Sequence, residues 1–153
     1  MRTCLEARFL SAHTTDCVEC MAASDNVVRS GLTPKFKDVD TLVNMLTYNH
    51  ASADSQLLQG VPFKGSSKTW LYDPPIQEFA VLKTELAEGD LETTEPLQGP
   101  SILIVTSGSK LFLKSQGESL EADSGHVFFI GANVPLHLEA KQGPITCYRA
   151  FCE

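Results

Sequence analysis

The sequence predicts a mainly β chain: a jelly roll or small barrel over its second half, preceded by a strand, a loop and a short helix. Three observations predict it. From Trp70 onward, short apolar runs (FAVLKTEL, SILIVT, KLFLKS, HVFFI, PLHLEA, ITCYRAF) recur between turn signals. Those signals include Ser107-Gly108, Gly131-Ala132-Asn133 and Gln142-Gly143-Pro144. Helical spacing of apolar residues occurs only between Asp38 and Tyr48.

In chain order, residues 1–15 carry no readable periodicity. Residues 17–22, CVECMA, fit a short strand that ends in Ser24-Asp25-Asn26, whose side chains can turn the backbone. Val27 and Val28 resume an extended run up to Arg29. SGLTPKF cannot be helix, because Gly31 is permissive and Pro34 pushes Thr33 to an extended conformation. A helix follows, capped by Asp38 or Asp40, with Leu42, Val43, Met45 and Leu46 at helical spacing up to about Tyr48. It is short, so it needs its apolar face docked on something. Residues 51–69, rich in Ser, Gln, Gly and Lys, read as a linker. The β pattern then begins: FAVLKTEL at 79–86 alternates, and SILIVT at 101–106 pairs across Ser107-Gly108 with KLFLKS at 110–115 as a hairpin. HVFFI, PLHLEA and ITCYRAF, the last two separated by the Gln142-Gly143-Pro144 turn, complete the sheet. The expected division is 1–50, a first segment; 51–69, a linker; and 70–153, a β unit.

At 153 residues the chain is large enough for a sizeable core. A formal charge of −7 argues against a broad surface for nucleic acid or anionic membrane, and no segment approaches a membrane span in length. Five cysteines, an odd number, without a signal-peptide core before them, predict a soluble cytoplasmic protein with free thiols. Cys17-Val-Glu-Cys20 is half a zinc knuckle with no second half, and reads as two strand thiols.

Chemistry concentrates in two cations. Arg29 and Lys35 lie six residues apart, with Gly31 and Pro34 fixing the backbone between them, a pattern that can form a rigid anion-binding corner. A phosphate-binding Gly loop, a GxSxG elbow and an HExxH pair are all absent. His50 sits in a polar loop and His137 stands without companion ligands, so both read as ordinary side chains, and the β unit as metal-free.

Residues 18–35, VECMAASDNVVRSGLTPK, resemble a signature of type I mannose-6-phosphate isomerases through Glu19, Met21, Ala22, Ser24, Asp25, Asn26, Arg29, Gly31, Thr33, Pro34 and Lys35. FKDVDTLVNMLTY, LYDPPIQEF, GHVFFIGAN and YRAF are similar more loosely. The resemblance implies a cupin-like jelly roll at 70–153 and, at 1–50, a remnant of a zinc-bearing catalytic cupin domain. It implies interconversion of mannose 6-phosphate and fructose 6-phosphate, with Arg29 as the catalytic arginine and Lys35 on the substrate's phosphate.

The family's signature opens with a His-Ala-Tyr tripeptide whose histidine binds zinc, nine residues before the glutamate. Here Leu10 stands at that place and His13 is three residues away, an odd offset that turns a strand side chain to the opposite face. The expectation is therefore a C-terminal portion of such an isomerase that lacks the metal ligands, binds no zinc by itself and is inactive alone. The alternative is a non-catalytic β-barrel fragment, or a module that binds a partner or a sugar phosphate and self-associates through exposed strand edges.

Overall fold

Two long strands organise the β-rich part of this protein, whose structure is a computed structural model describing residues 18–22, 28–29, 33–48 and 50–152. The chain divides into two units, one made of Met1–Cys20 with Leu58–Glu153 and the other of Met21–Leu57. The strands of the first are β1 (Val61–Pro62), β2 (Thr69–Tyr72), β3 (Ala80–Leu86), β4 (Leu91–Thr94), β5 (Ser101–Ser115), β6 (Glu118–Ala122), β7 (Val127–Ile130) and β8 (Leu136–Phe151). Every pairing among them is antiparallel.

β5 and β8 pair with each other along most of their length and exchange outer neighbours halfway. Near its start β5 is flanked by β7, and near its end by β6. The C-terminal half of β8 is flanked by β3, its N-terminal half by β4. One sheet therefore runs β1-β2-β3-β8-β5-β7 and the other β4-β8-β5-β6, with the two long strands shared. This is the mainly β jelly roll the sequence predicts over its second half.

Here the structure corrects two expected turns. Ser107-Gly108 does not reverse the chain: β5 runs straight through it, and SILIVT and KLFLKS are two halves of one strand. Gln142-Gly143-Pro144 likewise lies inside β8. The reason is a bend in place of a reversal. The β5–β8 register shifts between Val105 and Ser107 and again between Ser107 and Ser109, as bulges do. Gly108 has φ +96°, and a Cβ there would lie 2.3 Å from the Pro144 carbonyl oxygen and 2.5 Å from Ile145 Cδ1. The close approach of the two strands holds the bend, and only glycine fits it. The tight hairpin comes at the end of β5: Gln116 (φ 49°) and Gly117 (φ 87°) join β5 to β6 in the doubly left-handed conformation of a type I′ turn.

The core follows the period of two. Leu103, Val105, Leu111 and Leu113 of β5 point inward against Leu138 and Ile145 of β8, all buried. A second cluster of Ala80, Leu82, Leu97 and Phe151 continues it. Within the stretch read as a linker, Ala53–Gln56 and Phe63–Gly65 form 3₁₀ turns and β1 pairs with β2. β4 and β6 have no counterpart in the sequence reading. LETT and ESLEA are short, charged and half exposed, so they carry little apolar alternation.

In the second unit, α1 (Val39–Met45) is capped by Asp38, whose Oδ1 accepts the Thr41 N–H at 3.0 Å and whose Oδ2 accepts the Thr41 hydroxyl at 2.7 Å. These bonds to the charged form hold the Asp38 carboxyl below its usual value. None of the helix is buried: Val39, Val43 and Met45 are exposed. Residues 18–22 are not a strand, since a strand needs a neighbour for its backbone groups and no ladder forms there.

The bend yields a graded prediction. Gly117→Ala, where a Cβ meets open space, should cost only the left-handed strain of about 1 kcal/mol. Gly108→Ala adds the clash with backbone and should cost about 2–4 kcal/mol. Urea melts of both variants check the order, and equal losses contradict it.

Candidate functional site

The arginine corner lies in the Met21–Leu57 unit. Arg29 is half-buried and Lys35 exposed. Thr33 Oγ1 accepts the Lys35 backbone N–H at 3.2 Å, a turn local to the Thr-Pro-Lys step. Neither cation joins an ion pair among the described residues. Ser24, Asp25, Asn26 and Gly31, which the sequence predicts around the corner, lie outside the described residues, as do His13 and Cys17.

The β unit contains polar groups that the sequence reading passed over. Thr69 and Thr84, both buried, share a hydrogen bond at 3.0 Å, and Thr69 donates to Glu92 Oε1 at 3.0 Å. The Ser66 hydroxyl also reaches Glu92 while accepting the backbone N–H of Lys68 and Thr69. This network borders a cleft of about 290 Å³ lined by Phe63, Lys64, Glu92 and Glu95 among others. Its buried oxygens already serve one another, so the network stabilises the strand junction and leaves none spare for a ligand. The loop between β2 and β3 lines a wider depression of about 480 Å³ with Asp73, Pro74, Ile76, Gln77 and Phe79.

Arg149 was also missed. It is 3 % exposed, donates from Nε to Ser101 Oγ at 2.9 Å, and has no partner for Nη1 or Nη2 among the described residues. Burial draws its guanidinium down to about 10, which still leaves it charged at neutral pH. The signal was available: alternation in ITCYRAF places Ile145, Cys147, Arg149 and Phe151 on one face, and that face is the core.

Residues 70–113 match the family model for the phosphomannose isomerase type I C-terminal domain. The mannose-6-phosphate isomerase of Schizosaccharomyces pombe is 52% identical over 139 residues, 89% of this chain. Over most of its length this chain is similar to one part of the mannose-6-phosphate isomerases. The Saccharomyces cerevisiae isomerase is 50% identical over 90% of the chain. The match covers 34% of the S. pombe isomerase and 33% of the S. cerevisiae one, so the chain spans about a third of the length of these curated relatives. Among solved structures, a lysine-to-alanine mutant of phosphomannose isomerase from Salmonella typhimurium superposes with TM-score 0.70 at 27% identity, over 86% of this chain and 32% of that one.

The zinc that the isomerase resemblance implies does not fit the described residues. No three of His, Cys, Asp and Glu gather there. His126 Nδ1 accepts the Asp123 N–H at 3.0 Å, His137 Nδ1 is bonded to Thr93 Oγ1 at 2.9 Å, and His50 is exposed. The described thiols are free, and no described helix is long and apolar enough to cross a membrane. Cys20 is raised by partial burial and then by the Cys152 charge, whereas exposed Cys152 donates its S–H to the Glu78 carbonyl at 2.9 Å.

Burial pushes the Cys147 thiol up to about 12 from 9.0. A group whose folded value is raised stabilises the fold below its unfolded value and loses that contribution as pH rises. Arg149, lowered, acts in the opposite direction from about 10 upward. Stability should therefore fall between pH 9 and 10, by at most about 1.4 kcal/mol per pH unit. Cys147→Ala should flatten that fall. Native-state alkylation should label Cys152 and spare Cys147 until the protein unfolds; labelling of both at equal rates contradicts the burial.

Proposed function

We propose that this chain carries the arginine corner and the C-terminal β domain of a cytoplasmic mannose-6-phosphate isomerase, serving the carbohydrate metabolism that leads to GDP-mannose. What supports the reading is the yeast alignments: at nine-tenths of the chain they are too long to leave out the stretch holding Arg29 and Lys35. Interconverting an aldose and a ketose phosphate moves a proton between C1 and C2 and builds negative charge on the intervening oxygens. A guanidinium beside that charge, Arg29, lowers the barrier. Lys35, on its exposed side chain, takes the phosphate as a point charge and so positions the sugar for Arg29. The described residues gather no donor set for zinc. The 153-residue chain is accordingly read as a sugar-phosphate binder without turnover of its own.

Thermal unfolding tests this. Mannose 6-phosphate at a hundredfold excess over its dissociation constant should stabilise the chain by about 2.7 kcal/mol, and free mannose should not. Arg29→Ala and Lys35→Ala should each remove most of that shift. An unchanged melting temperature in the parent chain rejects the binding reading, and turnover in a coupled assay with metal withheld rejects the claim that the chain alone is inactive.

A further inference from the structure

Antiparallel strands with one face on a core ordinarily alternate apolar residues inward and polar residues outward. The far half of β5 obeys. Across its outward row, Lys114 lies opposite Ser119 and His137, and Phe112 opposite Glu121 and Glu139. The near half does not. There Ile102 lies opposite Phe129 of β7 and Ala150 of β8, and Ile104 opposite Val127 and Tyr148. Directly paired residues share a face, so these six side chains form one contiguous outward patch while Leu103 between them fills the core. Phe129 is 76% exposed, Val127 58% and Ile102 54%. At the β3 edge of the patch, Lys83 lies opposite Tyr148. It is occupied at 2.9 Å by Glu85, which holds its ammonium above the usual value.

A sheet that is apolar on both faces over one half and on one face over the other is built to be covered over that first half. The relatives say how much could cover it: about two thirds of the yeast isomerases, and a similar share of the Salmonella phosphomannose isomerase, lie outside the match. Resting on the isomerase reading above, we propose that the outward face of β5, β7 and β8, centred on Ile102 and Phe129, is the docking surface for that remaining portion of a mannose-6-phosphate isomerase. The contact is dry and aromatic-aliphatic, with no charge to neutralise, as suits domains held together permanently.

The test grafts this chain in place of the matched third of the S. pombe isomerase and follows thermal unfolding of the graft and of the 153-residue chain side by side. Phe129→Glu and Ile102→Lys should lower the graft's transition by roughly 5 °C or split it in two. In the isolated chain the same variants should change the melting temperature by no more than about 1 °C, because the positions are exposed there. Ser119→Glu, on the polar half, should be silent in both. Equal losses in graft and isolated chain, or no loss in the graft, overturn the proposal. A concentration-dependent dimer of the isolated chain that Phe129→Glu disperses, with the graft unaffected, assigns the face to a second copy and overturns it as well. The two readings separate in the same experiment: a graft that couples through Phe129 yet converts no mannose 6-phosphate counts against the isomerase reading and leaves the docking face standing.

Discussion

Main-chain hydrogen bonding between β5 and β8 is what the β unit depends on. Each sheet hangs on this pair: β3 and β7 flank one half of it, β4 and β6 the other. Both strands must therefore bend from one sheet into the next at the same level, and they do so where Gly108 meets Pro144 and Ile145. Strands that switch sheets at a bulge make the corners of such sandwiches, and the absent Cβ lets the two backbones touch. The pair also aligns Val105, Leu111 and Leu113 with Cys147, Ala140 and Leu138 in the centre of the core, so packing and pairing enforce the same register.

Polar groups inside that core are treated unequally. The Thr69, Thr84 and Glu92 oxygens bond to one another and fix the junction of β2, β3 and β4. Arg149 has only Ser101, and its two terminal nitrogens are left without described partners in a place that disfavours charge. Cys147, two residues away on the same face, stays a neutral thiol under the same burial although Arg149 pulls it the other way. Desolvation outweighs the Coulombic attraction at both residues, the ordering expected where water is excluded.

The arginine corner obeys different physics. Lys35 is held by local turn chemistry, with Thr33 on its backbone and Asp38 on the first turn of α1, and the helix that follows leaves Val39, Val43 and Met45 exposed. A seven-residue helix with nothing buried has a cap and little else to hold it. The outward patch around Phe129 has the same character: apolar side chains set out by a regular backbone and left in solvent.

By itself the sequence determined the fold class, most strand positions from Trp70 onward, the short helix after Asp38 and the likeness to mannose-6-phosphate isomerases, because period-two alternation, a capping aspartate and the Arg29-to-Lys35 run are local patterns that survive in one dimension. Tertiary structure alone decided whether a glycine bends a strand or reverses it. Ser107-Gly108 and Gln142-Gly143-Pro144 look like turns in isolation, yet each is kept as a bend within one strand by its pairing partner, while the less typical Gln116-Gly117 makes the hairpin. β4 and β6 were illegible for a related reason, since their place in the sheet comes from β8 and β5 and not from any apolar period of their own. SILIVT reads as apolar throughout, but only the register with β7 and β8 shows which of its residues enter the core and which stand outside it. Side-chain direction is set by position in a strand, whereas what lies on either side of that strand is set by residues far away in the chain.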